Sequence, residues 1–291
     1  MNETAELVSY FNGRLVPHSQ AMAEMKEGED RSAGGLYDSE RTFDGQVFKL
    51  REHLDRLYRS LEFAYIDPQL SLEEMETATM EVLEANRPLL GPGDDFIGGQ
   101  VVRAGPLGLE GSPVVDTVIY CQFIDFPTFA LSYTKGVRLV TPSTYSVPAQ
   151  RNAAGDDRVG QQTLLLLEDD EANITECRDA NFIFVTQDRI KLPNRRNVMP
   201  GISMATLLEL AGSLEIAVDE DDHSASDVYE ADEGFVTSTR FCMFPVDTLN
   251  GLSLAEEVPG PVTRRLQEAW SQSVGLDFAR QALDHLPAEE V

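Results

Sequence analysis

The fold of this chain is decided by residues 35–58, GLYDSERTFDGQVFKLREHLDRLY. Strand-forming runs at 37–42 and 46–50 flank Phe43-Asp44-Gly45, and an Asp-Gly pair suits a tight turn with positive φ angles. Apolar residues then recur at helical spacing from 50 to 63, with charged residues between them. The stretch therefore predicts a β-hairpin followed directly by an amphipathic helix.

The flanking sequence predicts further elements on both sides of this stretch. Residues 7–16 alternate apolar and polar side chains around Asn12-Gly13, which is a strong hairpin signal. Ser71 followed by acidic residues is typical of a capped helix start. The acidic run 219–222 is interpreted as a solvated loop. Further strands are predicted at 96–103, 114–123, 136–141, 164–167, 182–186 and 235–236, and further helices at 203–214 and 261–274.

The order of these elements predicts the fold class and the domains. Runs of strands with helices outside them favour an α+β fold over an alternating parallel sheet. A proline-interrupted stretch at 125–129 separates one strand system from the next. We predict a small α/β amino-terminal domain at 1–125, an interdomain linker at 126–135 and a larger β-rich carboxy-terminal domain at 136–291, which carries a candidate phosphate-binding turn.

Composition limits the partners of the chain. Its 291 residues carry a formal net charge of −27, from 50 acidic and 23 basic residues, which repels phosphate backbones and anionic lipids. Cys121, Cys177 and Cys242 lack metal-ligand spacing and the four histidines are dispersed, so neither a disulfide framework nor a metal site is indicated. No run is long and apolar enough to span a bilayer. We expect a cytoplasmic protein that binds a small molecule, with no nucleic-acid or membrane partner.

Three short segments are candidate anion sites. Gly201, in Pro200-Gly201-Ile202-Ser203, precedes a helical run, and the unpaired N–H groups and dipole of a helix start attract a phosphate. An ordinary helix cap explains the same residues. Arg56, at the edge of the apolar helix stripe, either donates two hydrogen bonds to a phosphate or extends to water. The hydroxyls at 237–240 suit an anion or plain turn chemistry.

Glu176 is the candidate partner of a ring. It stands shortly before the apolar strand predicted at 182–186, where a carboxylate can pair with the protonated ring nitrogen that makes a pyridine ring an electron sink. Pairing with Arg178 is the plain alternative. Cys177 is interpreted as a small, half-buried residue and not as a nucleophile, because no histidine is nearby in sequence.

Together these motifs resemble the class IV, or fold type IV, aminotransferases, which hold pyridoxal phosphate (PLP). The family comprises branched-chain amino acid aminotransferases, D-amino acid aminotransferases and aminodeoxychorismate lyases. The resemblance spans nearly the full length and implies a two-domain subunit, usually a homodimer, that acts on an amino acid or keto acid. It assigns the cofactor phosphate to Arg56, Gly201, Ile202, Ser203 and Thr239, the ring nitrogen to Glu176, and the substrate pocket to Tyr37, Arg41 and Arg240.

The chain departs from this family at the lysine that forms a Schiff base with PLP. The sequence has four lysines, and none occupies the family position. Where the family carries that lysine, the chain is shorter by roughly three helical turns. Arg151 and Arg158 stand there, but a guanidinium stays charged and is a poor nucleophile. We expect neither Lys135 nor Lys191 to substitute, and we predict no catalytic residue.

These residues leave three functions open. In the first, the pocket holds PLP, pyridoxamine phosphate or another phosphorylated ligand without a covalent bond, and ordinary transamination is lost. In the second, the chain is a working aminotransferase or lyase that uses a displaced lysine or a noncovalent cofactor. In the third, it is a non-catalytic partner subunit of an active homologue and needs no cofactor.

Overall fold

A computed structural model describes residues 6–27, 35–107, 113–141 and 161–287. The chain divides into two compact units, Met1–Ile124 and Asp125–Val291. Each unit contains both helices and a sheet, which agrees with the predicted α+β class.

The first unit is an antiparallel sheet covered by helices. Its strands follow the order β2-β1-β6-β5-β3-β4, and every neighbouring pair is antiparallel. The elements are β1 (Val8–Phe11), β2 (Arg14–Pro17), α1 (His18–Glu27), β3 (Leu36–Phe43), β4 (Gln46–Val47), α2 (Leu50–Phe63), α3 (Leu72–Asn86), β5 (Phe96–Leu107) and β6 (Pro113–Phe123).

Both predicted hairpins of this unit are confirmed, and their turns have the expected backbone. Asn12 and Gly13 have φ angles of 43° and 91°, and Asp44 and Gly45 have φ angles of 51° and 71°. The buried Asp95 carboxylate fixes the second turn, because it accepts hydrogen bonds from the backbone N–H groups of Asp44 (3.1 Å) and Gly45 (2.9 Å). The turn is therefore favoured by the backbone preference of its Asp-Gly pair and is also held by hydrogen bonds to a residue distant in sequence.

Helix α2 begins and ends where the sequence predicts. Its leucine stripe, Leu50, Leu54, Leu57 and Leu61, is buried against α3 and the sheet. Each fully buried leucine contributes roughly 2 kcal/mol through removal of apolar surface from water. Helix α3 begins at a capping box: the Ser71 hydroxyl accepts from the backbone N–H three residues on, and that residue's carboxylate accepts in return.

The second unit is a mixed sheet with helices around it. Its main strand order is β12-β11-β10-β13-β14-β7-β8-β9, with β15 beside β14. The elements are α4 (Ser132–Lys135), β7 (Val137–Val140), β8 (Thr163–Glu168), β9 (Ile174–Cys177), β10 (Asn181–Thr186), β11 (Arg189–Pro193), α5 (Ile202–Ser213), β12 (Val218–Asp221), α6 (Ala225–Tyr229), β13 (Glu233–Ser238), β14 (Cys242–Leu249), β15 (Leu252–Ser253), α7 (Pro261–Val274) and α8 (Phe278–Leu283).

Residues 126–135, where the sequence predicts a linker, form short helical turns within the second unit. Phe126, Phe129 and Tyr133 are buried there. The Tyr133 hydroxyl donates to the backbone oxygen of Phe241 at 2.8 Å. The segment is therefore part of a packed aromatic core.

The interpretation of the acidic run 219–222 as a loop is wrong, because most of it belongs to the edge strand β12, which pairs in parallel with β11. The Asp219 carboxylate accepts from Lys191 Nζ (2.8 Å) and from Arg189 Nη2 (2.7 Å). Glu220 and Asp222 bind Arg195 and Arg196 in the same way, at 2.7 and 2.8 Å. Cations that come earlier in the chain thus offset the mutual repulsion of the acids.

The sheet of the second unit curls, so that its last strand β9 returns beside β10. The Cys177 N–H donates to the Ala180 backbone oxygen at 2.8 Å across the short connection between these strands. This tight turn brings Glu176, near the end of β9, to Asn181, the first residue of β10. In the described part of the chain, no helix combines the length and apolarity that crossing a membrane requires.

Candidate functional site

The amino-terminal end of α5 is the main candidate anion site. Gly201 is its N-cap residue and supplies no side-chain acceptor, and Ile202 and Ser203 open the helix. The first N–H groups of a helix have no partner within the helix, and they point along its positive dipole end. A side chain at position 201 would overlap the Asn181 amide oxygen, so a glycine is needed for this close approach. The end of the helix is thus packed against the first residue of β10.

Glu176 lies next to that helix end. Its Oε2 accepts hydrogen bonds from the backbone N–H of Met199 (2.9 Å) and from Asn181 Nδ2 (3.2 Å). Partial burial raises the pKa of the Glu176 carboxyl above its ordinary value, and the hydrogen bond from Met199 opposes that rise. The structure therefore brings Glu176 and the Gly201 turn together, as two parts of one site require.

A third predicted segment, the turn after β13, lies at the same end of the sheet. Asn181 on β10 pairs directly with Thr237 on β13, and paired residues of an antiparallel ladder project from the same face. The Thr237 hydroxyl is buried and has no hydrogen-bond partner among the described residues. Thr239 lies in the following turn, half-buried, and Arg240 is exposed with its guanidinium 5.5 Å from the centre of the Phe129 ring.

The remaining predicted site residues belong to the first unit. Arg56 forms a two-bond ion pair with the buried Asp38, from Nε to Oδ2 and from Nη2 to Oδ1, each at 2.7 Å. His53 Nδ1 lies 2.8 Å from the same Oδ1. Burial would raise the pKa of Asp38, but Arg56 and His53 outweigh it and hold that pKa below its ordinary value. Asp38 thus fixes the direction in which the Arg56 guanidinium points.

The two predicted pocket residues on β3 differ in exposure. Tyr37 is 70% exposed, as a wall of an open pocket would be. Arg41 is buried, lies 4.2 Å from the centre of the Phe43 ring and donates from Nε to the Thr42 backbone oxygen. Arg41 therefore packs inside the first unit, which does not favour the predicted contact with substrate.

The sequence prediction missed Asp38 and Asn181, and it named Thr237 only among the hydroxyls at 237–240 that suit an anion. Asn181 reads as a turn residue before a strand, and Thr237 reads as one hydroxyl among several. Asp38 stands inside the quoted stretch 35–58. A single acidic residue in a predicted strand gives no sign that it will be buried and paired with an arginine. Only the tertiary contacts identify Asp38 and Asn181, and only burial distinguishes Thr237 from its neighbours.

Comparison with known proteins decides the family. The family model for the class IV aminotransferases matches residues 35–249 of this chain. The chain belongs to the class IV aminotransferases. The match contains the fold-deciding stretch, Glu176, the α5 helix start and the turn after β13, so the predicted resemblance is confirmed.

Relatives and solved structures agree with this assignment. A putative branched-chain-amino-acid aminotransferase of Methanocaldococcus jannaschii is 29% identical over 89% of this chain and 93% of the relative. D-alanine aminotransferase of Bacillus licheniformis is 25% identical over 93% of this chain and 98% of the relative. The PLP form of a branched-chain amino acid aminotransferase from Thermobaculum terrenum superposes with a TM-score of 0.77, at 18% identity, over 96% of this chain and 97% of that one. The predicted fold type IV is confirmed, and the family implies PLP as cofactor.

For a class IV aminotransferase, the positions of the lysines matter most. In the second unit, Lys191 pairs with Phe184, which stands three residues after Asn181 on β10. Side chains alternate along a strand, so Lys191 projects from the face opposite Asn181. Its Nζ donates to Asp219 at 2.8 Å. Lys191 and Asn181, the hydrogen-bond partner of Glu176, therefore lie on opposite faces of the sheet.

The other lysines of this class IV aminotransferase are placed as follows. Lys135 ends α4 and is exposed. Lys49 belongs to the first unit, with its Nζ 5.9 Å from the centre of the Phe48 ring. Lys26 also belongs to the first unit, in α1. Residues 142–160, which include Arg151, Arg158 and the predicted departure from the family, lie outside the described residues.

Proposed function

We propose that the second unit binds PLP, pyridoxamine phosphate or a similar phosphorylated ring without a covalent bond to lysine, and that the chain does not carry out ordinary transamination. One observation carries the proposal: Glu176 and Met199, in the turn before α5, share Asn181 as a hydrogen-bonded neighbour, whereas Lys191 projects from the opposite face of the sheet. This arrangement supports a site for a ring and a phosphate in which, among the described residues of the second unit, Lys191 is not on the side of Asn181.

The phosphate part of the proposal rests on the residues at the end of the sheet. The Gly201 N–H already donates to the Met199 backbone oxygen at 2.8 Å. The N–H groups of Ile202 and Ser203 fit an anion because helix starts bind phosphate through backbone amides and the dipole. The buried Thr237 hydroxyl lacks a partner among the described residues, which is costly unless a ligand or water satisfies it. Thr239 in the next turn offers a second hydroxyl. Arg56, in the first unit, stays a prediction from the sequence, and its Nε and Nη2 donate to Asp38.

The ring part rests on Glu176. When PLP is bound, its protonated pyridine ring supplies an electron sink. A carboxylate is the group that holds a proton at the ring nitrogen, and Glu176 is fixed for that task by two hydrogen bonds to one oxygen. Partial burial raises the pKa of the Glu176 carboxyl, and a protonated ring nitrogen beside it would favour its ionised form.

The proton transfer of ordinary transamination needs a base beside the substrate carbon. Lysine supplies that base in this family, together with the bond to the cofactor, and efficiency depends on its placement. We take neither Lys135, which is exposed at the end of α4, nor Lys191, which donates to Asp219, to be that base. An enzyme with a displaced lysine is therefore the less favoured hypothesis, and an amino or keto acid is the expected substrate if the chain is active.

Calorimetric titration with pyridoxamine 5′-phosphate tests the proposal. This ligand has no aldehyde and cannot bond to lysine. We expect saturable binding of pyridoxamine phosphate, and an affinity for PLP within about threefold of the affinity for pyridoxamine phosphate. Glu176→Gln should lower the affinity for pyridoxamine phosphate about tenfold, since a charge-assisted contact is worth roughly 1.4 kcal/mol or more. The matched control is Glu171→Gln, at an exposed acid in the same unit, which should bind like the unaltered protein.

Two results contradict the proposal. Affinity for PLP more than about a hundredfold above that for pyridoxamine phosphate would show a covalent bond and favour a displaced lysine. No binding of either ligand, with co-purification of a lysine-bearing homologue, would favour the partner-subunit hypothesis. The oligomeric state, predicted to be a homodimer, is measured in the same preparation by light scattering.

A further inference from the structure

We infer that Asn181 is a positioning residue that sets the distance between the Glu176 carboxylate and the start of α5. The inference rests on the proposed function, because the spacing that Asn181 sets matters only for a ligand that has both a ring and a phosphate. Asn181 is buried and need not touch that ligand.

The Asn181 amide has three neighbours that belong to the two halves of the site. Its Nδ2 donates to Glu176 Oε2 at 3.2 Å and to the Met199 backbone oxygen at 3.0 Å. Its Oδ1 lies against the Cα of Gly201, so closely that a methyl group there would overlap it. One planar amide therefore touches the carboxylate, the turn before the helix and the N-cap residue.

The orientation of the amide follows from these neighbours. Both groups that face Nδ2 are acceptors, so the nitrogen and not the oxygen must point at them. A serine is too short to reach both, and an aspartate would place an oxygen against two acceptors. Asparagine supplies two N–H donors at this distance from the β10 backbone. Its amide oxygen is also small enough to lie against Gly201.

The backbone of Asn181 makes it a rigid reference point. Asn181 opens β10 and pairs with Thr237 on β13, inside the sheet. Glu176 is tied to the same point because the Cys177 N–H donates to the Ala180 backbone oxygen. Met199 completes the ring of contacts, since its N–H donates to Glu176 and its oxygen accepts from Asn181. Movement of the helix start away from Glu176 would break two hydrogen bonds at once.

The test compares two ligands of different length. Pyridoxine 5′-phosphate has the ring and the phosphate but no aldehyde, whereas inorganic phosphate needs only the helix amides. Asn181→Ala should weaken pyridoxine phosphate about tenfold or more and inorganic phosphate less than about twofold, because only the longer ligand spans both halves. Asn197→Ala, at an exposed asparagine of the neighbouring turn, is the matched control and should change neither affinity.

A second readout needs no ligand. Loss of the Nδ2 donor should raise the pKa of the Glu176 carboxyl, measured by carbon NMR of glutamate-labelled protein with Glu176→Gln as the assignment control. Where Asn181→Ala does not fold, Asn181→Asp keeps the shape and should raise that pKa further through like charge. Equal losses for both ligands, or a Glu176 pKa that does not move, overturn the inference. If the unaltered protein binds neither ligand, the proposed function fails and the Glu176 titration alone decides the role of Asn181.

Discussion

Asp38 and Arg56 form a two-bond ion pair inside the first unit, with both Nε–Oδ2 and Nη2–Oδ1 at 2.7 Å, and His53 shares the same carboxylate. Asp38 is almost fully buried and Arg56 is mostly so. A buried carboxylate is stable only when its partners remain, since an unpaired buried charge carries its full desolvation penalty. The pair therefore links the orientation of Arg56 to the stability of the unit.

Asp38→Ala should destabilise the protein by about 3 kcal/mol, because it leaves the Arg56 guanidinium without its buried partner. Urea unfolding measures the change in free energy. Arg51→Ala is the control, since Arg51 is an exposed helix residue whose ion pairs with Asp55 and Glu73 are screened by water. A loss for Asp38→Ala no greater than for Arg51→Ala would show that the buried pair contributes nothing.

Glu40 predicts a pH dependence of stability. It is fully buried beside Gln100, whose Nε2 donates to Glu40 Oε1 at 2.8 Å. Glu40 Oε2 and Gln100 Oε1 are both buried acceptors without a partner among the described residues, so a proton on Glu40 suits this place. Burial raises the pKa of Glu40 to about 8. The ordinary pKa of a glutamate, 4.5, applies in the unfolded chain. Between pH 4.5 and about 8, folding is therefore accompanied by uptake of a proton at Glu40.

Stability should therefore fall as the pH rises from about 4.5 to about 8, by up to roughly 1.4 kcal/mol per pH unit from this group. Glu40→Gln, which keeps the shape and supplies its own donor, should remove that part of the slope and be the more stable form at pH 8. Urea unfolding at several pH values measures it, with Glu62→Gln at an exposed position as the control. Parallel pH profiles of Glu40→Gln and the unaltered protein would refute the assignment.

Ser71 predicts a capping effect. Its hydroxyl accepts from the Glu74 N–H, and the Glu74 carboxylate accepts from the Ser71 N–H. Ser71→Ala should cost about 1 kcal/mol of unfolding free energy. Ser60→Ala, in the last turn of α2, is the same substitution without a cap and should be neutral or slightly stabilising because alanine is the better helix former. Equal effects at the two positions would argue against the cap.

Lys191 and Asp219 test the placement of the lysines. Their ion pair lies on the face of the sheet opposite Asn181. Lys191→Gln should leave the affinity for pyridoxamine phosphate unchanged and lower the melting temperature slightly. The loss in melting temperature should shrink in about 1 M salt, where the Debye length is about 3 Å. A tenfold loss of affinity for pyridoxamine phosphate in this variant would place Lys191 in the site after all.

Local signals account for the parts of the fold that the sequence predicts. The Asn12-Gly13 and Asp44-Gly45 turns and the leucine stripe of α2 depend on neighbours within a few residues, so they can be recognised without tertiary structure. The strand β12 depends on cations about 30 residues earlier in the chain, and its acids alone indicate a loop. Charge patterning within one segment therefore could not predict it.

The candidate site was predictable to a similar extent. Glu176 and the Gly201 turn carry recognisable motifs, and the structure places them together. The role of Asn181 depends on its contact with Met199, 18 residues away, as well as on the local contact with Glu176, five residues away across the turn between β9 and β10. The buried environment of Arg41 is likewise decided by packing against Phe43 and not by its own position in the sequence.

Borohydride reduction in the presence of one equivalent of PLP tests the central claim most directly, because reduction fixes any bond between the aldehyde and a lysine and peptide mass spectrometry then locates it. The account predicts that the ligand remains releasable and that no lysine is modified to near completion. Near-stoichiometric modification of one lysine, Lys135 or Lys191 in particular, that is lost in Glu176→Gln would contradict it.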